Sequence, residues 1–359
     1  MIMPLKTDSP TIDRICTMLG DGKIVALPTD TIYGFAVDAQ NKKAVEELAC
    51  LKGRETKPFV LFIAKDRISH YVKIVNERII ERFLPGALTV ILKKRSGIEL
   101  PRSGETIGIR VPDMPFILKL LDMYEHPIAV TSANRSGENP LTSPFEIAEH
   151  FTDIPLVING GTLLSDPSTV IDCTCTPPVI TRKGVIPIQS IEDAYHEFVR
   201  ISAGIRFNVL FVCTGNSCRS PMAEAILRTF VQPDHCEVRS AGTLPGFGMP
   251  ASEHAKTVVR DFRGTLAGHQ SQPVTPALIM WADAIFVMAR KHLEYVRQLV
   301  PAVKMKVSLL KEYKQKTRNP EIEDPVGLDI DAYRKTAEEM LPFLRAIARD
   351  IEYRYKGSA

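Results

Sequence analysis

Long hydrophobic runs are missing from this chain. Its most apolar stretch, residues 277–288, is interrupted by Asp283 and falls short of the roughly 18 residues needed to cross a bilayer. The N-terminal segment carries Asp8 and Asp13 where the apolar core of a secretory signal would lie. No signal peptide is read, and a cytoplasmic protein with no membrane partner is expected. Low-complexity tracts are also absent, and 45% hydrophobic with 24% charged residues is the composition of a packed globular chain. Charge of one sign is scarce: a net value of +3 excludes a surface built to coat a polyanion and leaves any nucleic-acid role to a local patch. Cysteine is too irregular for a disulfide framework, with seven residues scattered through the chain. Reduced thiols are expected, one or two of them chemically active.

At 359 residues the chain is too long for one ordinary core and suits two. Both halves alternate short apolar runs with helical patterns, which marks an α/β architecture. In the first half, residues 23–27, 59–63, 88–92 and 128–130 read as strands, with helical periodicity over 43–51 and 76–83. Residues 155–158, 169–172 and 179–181 read as further strands. Over 190–200 one amphipathic connecting helix is predicted, opened by Ser190 as its N-cap. The chain then restarts with a β-branched and aromatic run at 207–212. The expected domains are 8–190 and 206–359, joined by a linker helix over 191–205.

The run at 207–212 leads into Cys213-Thr214-Gly215-Asn216-Ser217-Cys218-Arg219-Ser220-Pro221, followed by a helical pattern over 222–227. The spacing has a chemical logic. Five residues between cysteine and arginine let the backbone curl so that successive N–H groups point at one anion. The helix adds its unpaired N-terminal donors and the positive end of its dipole. Arg219 can grip two phosphoryl oxygens at once, which a lysine does less well. The same field favours a thiolate, the form that attacks phosphorus, and Ser220 can donate a hydrogen bond to the sulfur. Pro221 suits the first helical turn, where a missing N–H costs nothing. A leaving group also needs a proton. Asp324, in Glu323-Asp324-Pro325-Val326-Gly327, is the best candidate acid, held out of a helix by its proline ahead of a predicted helix at 331–346.

These residues resemble the low-molecular-weight protein phosphatases over about 207–355, and the segments 269–275 and 282–288 match as well. The resemblance implies a four-stranded parallel sheet flanked by helices, a phosphocysteine intermediate, and neither metal nor other cofactor. It assigns Cys213 as nucleophile, Arg219 to phosphate, and Asp324 as general acid and then base. It places Thr214, Gly215, Asn216, Ser217, Cys218 and Ser220 in the phosphate loop. Tyrosine phosphatases of the family commonly carry a bulky aliphatic residue where this chain has Ser217, and aromatic residues where Val326 and Gly327 follow the Asp-Pro. The loop resembles the protein-arginine phosphatase branch, and phosphoarginine on a phosphoprotein is favoured over phosphotyrosine. Cys218 has two readings: an oxidation partner that shields Cys213, or a small buried residue packing the loop. Cys173, Cys175 and Cys236 lack histidines at ligand spacing and are read as structural.

The first half has neither a Walker-type glycine loop nor G-x-G-x-x-G. Its polar residues cluster, mostly at strand ends, at 28–34, 52–58, 106–112, 131–137, 168–172 and 182–184. Open α/β sheets bind ligands at strand ends, and Lys52, Arg54, Lys57 and Arg182 together suit a triphosphate. By themselves the clusters support an anion-binding crevice. They resemble the YrdC-type threonylcarbamoyl-AMP synthases over about 8–190, whose K-x-R and S-x-N signature is here Lys52/Arg54 and Ser132/Asn134. The resemblance implies a twisted α/β sheet that condenses L-threonine, bicarbonate and ATP into threonylcarbamoyl-AMP and pyrophosphate, supplying the tRNA-modification machinery. It assigns Lys52, Arg54, Lys57, Thr106, Ser132, Asn134 and Arg182 to ATP, which carries its Mg²⁺, and Thr31, Arg110 and Ser168 to threonine. Many relatives have a histidine where this chain has Phe62 or Ile63.

The leading expectation is a bifunctional α/β enzyme with two independent sites. One competing reading is a phosphotyrosine phosphatase whose first half is an RNA-binding module. Another is a regulatory scaffold with a decayed site, which the intact set Cys213, Arg219 and Asp324 argues against.

Overall fold

The short apolar runs of the first half assemble into one mixed sheet. The computed structural model describes residues 1–53, 58–314 and 316–357, and it divides into two units, Met1–Val199 and Arg200–Ala359. Strands of the first unit are β1 (Ile2–Pro4), β2 (Val25–Leu27), β3 (Gly34–Asp38), β4 (Val60–Phe62), β5 (Leu88–Lys93), β6 (Thr106–Arg110), β7 (Ile128–Ser132), β8 (Leu156–Asn159), β9 (Thr169–Asp172) and β10 (Val179–Arg182). They lie in the order β1-β8-β2-β3-β7-β4-β6-β5-β9-β10. β4 runs parallel to β6 and β5 to β9, while β3, β7 and β4 alternate in direction.

The helices are α1 (Ser9–Gly20), α2 (Lys42–Lys52), α3 (Ile68–Tyr71), α4 (Glu77–Phe83), α5 (Pro115–Met123), α6 (Pro144–His150) and α7 (Ile188–Tyr195). Local signals set several of their ends. The Asp8 carboxylate accepts from Thr11 N–H to cap α1, Asn41 does the same for Ala44 in α2, and Gly53 closes α2 in the left-handed conformation (φ 60°). Ile12, Ile15 and Leu19, spaced along one face of α1, are fully buried. β3 is buried along its whole length, with α1 and α2 packed against it.

The strands predicted from the apolar runs appear within a residue or two, and β9 covers the predicted span. The helix predicted over 190–200 differs. It starts at Ile188, so that Ile188, Ile191 and Ala194 share its buried face, and it ends where His196 turns left-handed (φ 67°). Ser190 lies inside the helix and not at its cap, and the helix belongs to the first unit.

The second unit opens with the two-residue β11 (Arg200–Ile201), followed by β12 (Phe207–Cys213), β13 (Cys236–Gly242), β14 (Ala284–Val287) and β15 (Val307–Leu309). The last four form an all-parallel sheet in the order β13-β12-β14-β15. Its helices are α8 (Arg219–Arg228), α9 (Glu253–Asp261), α10 (Pro276–Trp281), α11 (Arg290–Leu299) and α12 (Ile330–Tyr355). The core on one side joins Leu210, Val212, Ile285 and Val287 from the sheet to Ile279 and Val296 from α10 and α11. α12 runs nine residues beyond the predicted 331–346, because Ile347, Ala348, Ile351 and Tyr355 continue its buried stripe. Among the described residues, no helix is long and apolar enough to cross a membrane.

Candidate active sites

The sulfur of Cys213 sits where β12 ends and the chain curls toward α8. Ser220 Oγ lies 2.9 Å from it, and the Asn216 N–H points at it from 3.3 Å. Both are positioned to stabilise negative charge on sulfur. Asn216 makes the curl: its φ of 51° is the left-handed conformation that asparagine tolerates better than most residues. It is fully buried, and its amide donates to Ser220 Oγ (3.1 Å) and Ser240 Oγ (2.9 Å) while accepting from Gln272 N–H (3.0 Å). His269 Nε2 reaches the Asn216 carbonyl at 2.8 Å. β13 passes close behind, and a Cβ on Gly242 would come within 2.6 Å of the Thr214 carbonyl.

Arg219, almost wholly buried, donates to the Ile322 carbonyl (3.2 Å) and to the carboxylate of Asp324. The loop carrying Asp324 is thus drawn to the phosphate loop across 105 residues of sequence. Asp324 stays partly open to solvent. Two neighbours of the loop were not anticipated. Thr214 Oγ1 contacts Nε2 of His292 at 2.9 Å. That ring is fully buried, its Nδ1 has no hydrogen-bond partner among the described residues, and burial with the nearby Arg219 charge holds it down at about 4. The thiol of Cys218 lies 3.1 Å from Tyr333 Oη, whose own ionisation burial and that thiol push up to about 12. Ser217 Oγ faces Cys218 Sγ at 3.5 Å. Cysteines 16, 50, 173, 175, 213, 218 and 236 are all unbridged.

In the first unit a crevice of about 160 Å³ runs across the sheet from Gly34 and Ser132 past Phe62 and Arg110 to Ser168 and Arg182. Sheet order brings these residues together: Phe62 pairs with Arg110 in register, and β5 places Thr89 between Arg110 and the start of β9. Arg110 donates to Thr31 Oγ1 (2.9 Å) and pairs with Asp30 (2.6 Å). Thr29 Oγ1 holds Thr31 at 3.0 Å. Arg182 donates to the Ser168 carbonyl (2.9 Å) and hydroxyl (3.0 Å), and Ser168 Oγ meets Thr89 Oγ1 at 2.9 Å. Burial depresses the ionisation of Arg110, Asp30 restores it, and the charge of Arg182 lowers it again. Arg110 and Arg182 thus both reach the crevice, with Asp30 paired to Arg110.

The K-x-R and S-x-N residues divide. Ser132 lines the crevice, whereas Lys52 and Asn134 lie beneath it, 4% and 6% exposed. The Lys52 ammonium donates to the carbonyls of Ser132 (2.8 Å) and Asn134 (2.5 Å) and to Asn134 Oδ1 (2.7 Å). A longer contact reaches Ser132 Oγ (3.5 Å), so the lysine holds the turn that presents Ser132. Thr106 opens β6 and shares a face with Arg110 at its other end, outside the crevice lining. Arg54 and Lys57 lie outside the described residues. Thr89 and Phe62 line the crevice and Asp30 pairs with its Arg110, none of them assigned from sequence. The placement of Asp30 within the 28–34 cluster was the available signal. Among the described residues, no group of three or more His, Cys, Asp or Glu side chains could hold a metal ion.

Comparison with known proteins matches the units separately. The Sua5/YciO/YrdC family model, described as telomere recombination, matches residues 17–184. The model for low molecular weight phosphotyrosine protein phosphatase matches residues 208–354. A threonylcarbamoyl-AMP synthase of Pyrococcus abyssi is 37% identical over 194 residues, covering 52% of this chain and 57% of that protein. This chain therefore spans little more than half of that relative. A putative threonylcarbamoyl-AMP synthase of Methanocaldococcus jannaschii is 40% identical over 48% of this chain and 84% of its own length. A protein-arginine-phosphatase of Geobacillus stearothermophilus is 36% identical over 41% of this chain and 97% of its own. A crystal structure of P. abyssi Sua5 complexed with L-threonine shares the fold alone, at 22% identity and a TM-score of 0.51, over 86% of this chain and 98% of that one. The chain belongs to two families at once, with a Sua5/YciO/YrdC domain as its first unit and a low-molecular-weight phosphatase domain as its second.

Proposed function

We propose that the chain is a bifunctional enzyme, a threonylcarbamoyl-AMP synthase joined to a protein phosphatase that prefers phosphoarginine. The observation that carries the second half of this reading is the convergence of Cys213, Arg219 and Asp324 on one loop mouth. Arriving phosphate displaces Asp324 from Arg219, which then holds two phosphoryl oxygens. The released Asp324 carboxylate takes up a proton from solvent; the Cys213 thiolate then attacks phosphorus as the P–N or P–O bond breaks, and Asp324 gives that proton to the leaving atom. Asp324 then takes a proton from the water that cleaves the phosphocysteine. Ser217 and the exposed Val326 and Gly327 leave a small rim with a hydroxyl and no aromatic ring at these positions, which suits a guanidinium better than a phenol. The exposed Phe247, 86% open, is the observation favouring a phosphotyrosine reading instead.

In the first unit, Thr31, Arg110 and Ser168 hold threonine, while Arg182 and Ser132 face the nucleotide. Arg54 and Lys57 complete that nucleotide set on the sequence signature. Mg²⁺ enters with ATP as part of the substrate. Threonine nitrogen takes up bicarbonate carbon with loss of water, the resulting carbamate attacks the α-phosphorus, and pyrophosphate leaves. The protein's contribution is orientation and charge neutralisation. The product supplies tRNA modification.

Pyrophosphate release from ATP that depends on both threonine and bicarbonate, together with side-by-side hydrolysis of phosphoarginine and phosphotyrosine peptides, tests the reading. Cys213→Ser should abolish hydrolysis and spare pyrophosphate release, and Arg110→Ala the reverse. RNA affinity without threonine-dependent pyrophosphate release overturns the synthase. A strong phosphotyrosine preference overturns the choice of phosphoarginine.

A further inference from the structure

The second unit carries a concavity that neither reaction uses. It encloses about 390 Å³ between α9 and the segment 265–270, with Lys256, Arg260 and His269 among its lining residues. Lys256 and Arg260 stand one turn apart on the same side of α9. None of the described residues lining the pocket carries a carboxylate. Lys256 is largely covered and meets only the exposed Glu253, at 2.7 Å, and Arg260 makes no ion pair among the described residues.

The pocket shares its walls with the catalytic loop. His269 contacts the Asn216 carbonyl at 2.8 Å, and the Ser252 N–H, one turn ahead of Lys256, donates to the Ser217 carbonyl at 2.9 Å. The strip 244–250 begins at the catalytic loop, where Leu244 N–H donates to the Thr214 carbonyl at 2.9 Å, and ends at Gly248 and Pro250 in the pocket wall. Leu244, Phe247 and Met249 on that strip are 78%, 86% and 57% exposed. An apolar path therefore leads from the reacting phosphate to a pocket holding two cations.

On the phosphatase reading, we propose that this pocket docks an acidic side chain of the protein substrate, a glutamate or aspartate flanking the phosphorylated residue, with its carboxylate on Lys256 and Arg260. Apolar residues of the same segment lie over Leu244 and Phe247. Partly exposed ion pairs are individually modest, so two of them together favour the acidic substrate about threefold to tenfold.

Hydrolysis of matched phosphopeptides by the full chain, with glutamate or glutamine scanned through the flanking positions, tests this. p-Nitrophenyl phosphate serves as a substrate too small to reach the pocket. The expected result is a threefold to tenfold higher kcat/KM for glutamate at one position, expressed through KM. The double variant Lys256→Ala/Arg260→Ala makes glutamate and glutamine equivalent, and Arg260→Glu shifts the preference to a lysine peptide. All variants keep wild-type turnover of p-nitrophenyl phosphate. Equal kcat/KM for glutamate and glutamine at every position overturns the subsite and leaves the phosphatase standing. No turnover of p-nitrophenyl phosphate by the wild type overturns the phosphatase reading itself.

Discussion

His292 should make the second unit acid-sensitive in a way that one substitution removes. The ring is fully buried beside Arg219, and its folded value is lowered to about 4 from the ordinary 6.5. As pH falls, the unfolded chain therefore binds this proton first. The stability tied to neutral His292 is complete above about pH 6.5, drains away between there and about pH 4, and is constant below. At pH 5.0 the unfolded ring is almost fully protonated and the folded ring almost fully neutral, a difference of about 1.5 pH units, or about 2 kcal/mol. His292→Gln keeps a polar partner for Thr214 and titrates in neither state. Urea unfolding should be followed by tryptophan fluorescence, because the chain's single tryptophan, Trp281, lies in α10 of the second unit beneath Arg239 at 4.4 Å. Between pH 7.5 and 5.0 the wild type should lose about 2 kcal/mol more than the variant. Every other titrating group is common to both proteins and cancels. Parallel curves, whatever their absolute offset, would refute the reasoning.

Asp324→Asn should lower turnover of a substrate with a poor leaving group about 10²- to 10⁴-fold, without raising KM, since the carboxylate no longer competes with phosphate for Arg219. A loss smaller than tenfold rules out Asp324 as the acid. Ser217→Ile should shift the ratio of phosphotyrosine to phosphoarginine hydrolysis upward; an unchanged ratio removes Ser217 from substrate choice. Gly184→Ala should impair threonine-dependent pyrophosphate release and spare phosphatase activity. Its new Cβ would fall 2.1 Å from the Pro167 carbonyl and 2.5 Å from the Ser168 carbonyl carbon, displacing the serine that Arg182 holds. Unchanged KM for threonine would count against a role for Ser168 in binding it.

The two sites were legible to different degrees. The phosphate loop is nine contiguous residues on one strand-to-helix turn, so its chemistry follows from local backbone geometry, and Asp324 is marked by the proline after it. The crevice of the first unit is assembled from strands far apart in sequence. Its residues could be named as clusters, but the pairing of Arg110 with Asp30 across 80 residues needed the sheet order. Lys52 illustrates the difference. Its spacing from Arg54 belongs to the signature that the resemblance assigns to ATP, and the fold adds that it ends α2 buried, its ammonium donating to the turn at Ser132 and Asn134.

Sequence alone determined that this is a two-unit α/β chain and where the strand-to-helix turn after Cys213 lies. Both depend on neighbours within a few positions, through turn chemistry and apolar periodicity. Tertiary structure alone decided which of these side chains meet. Asp324 is placed on Arg219, His292 against Thr214, and His269 on the Asn216 carbonyl, because a folded sheet brings together residues that the chain keeps tens of positions apart.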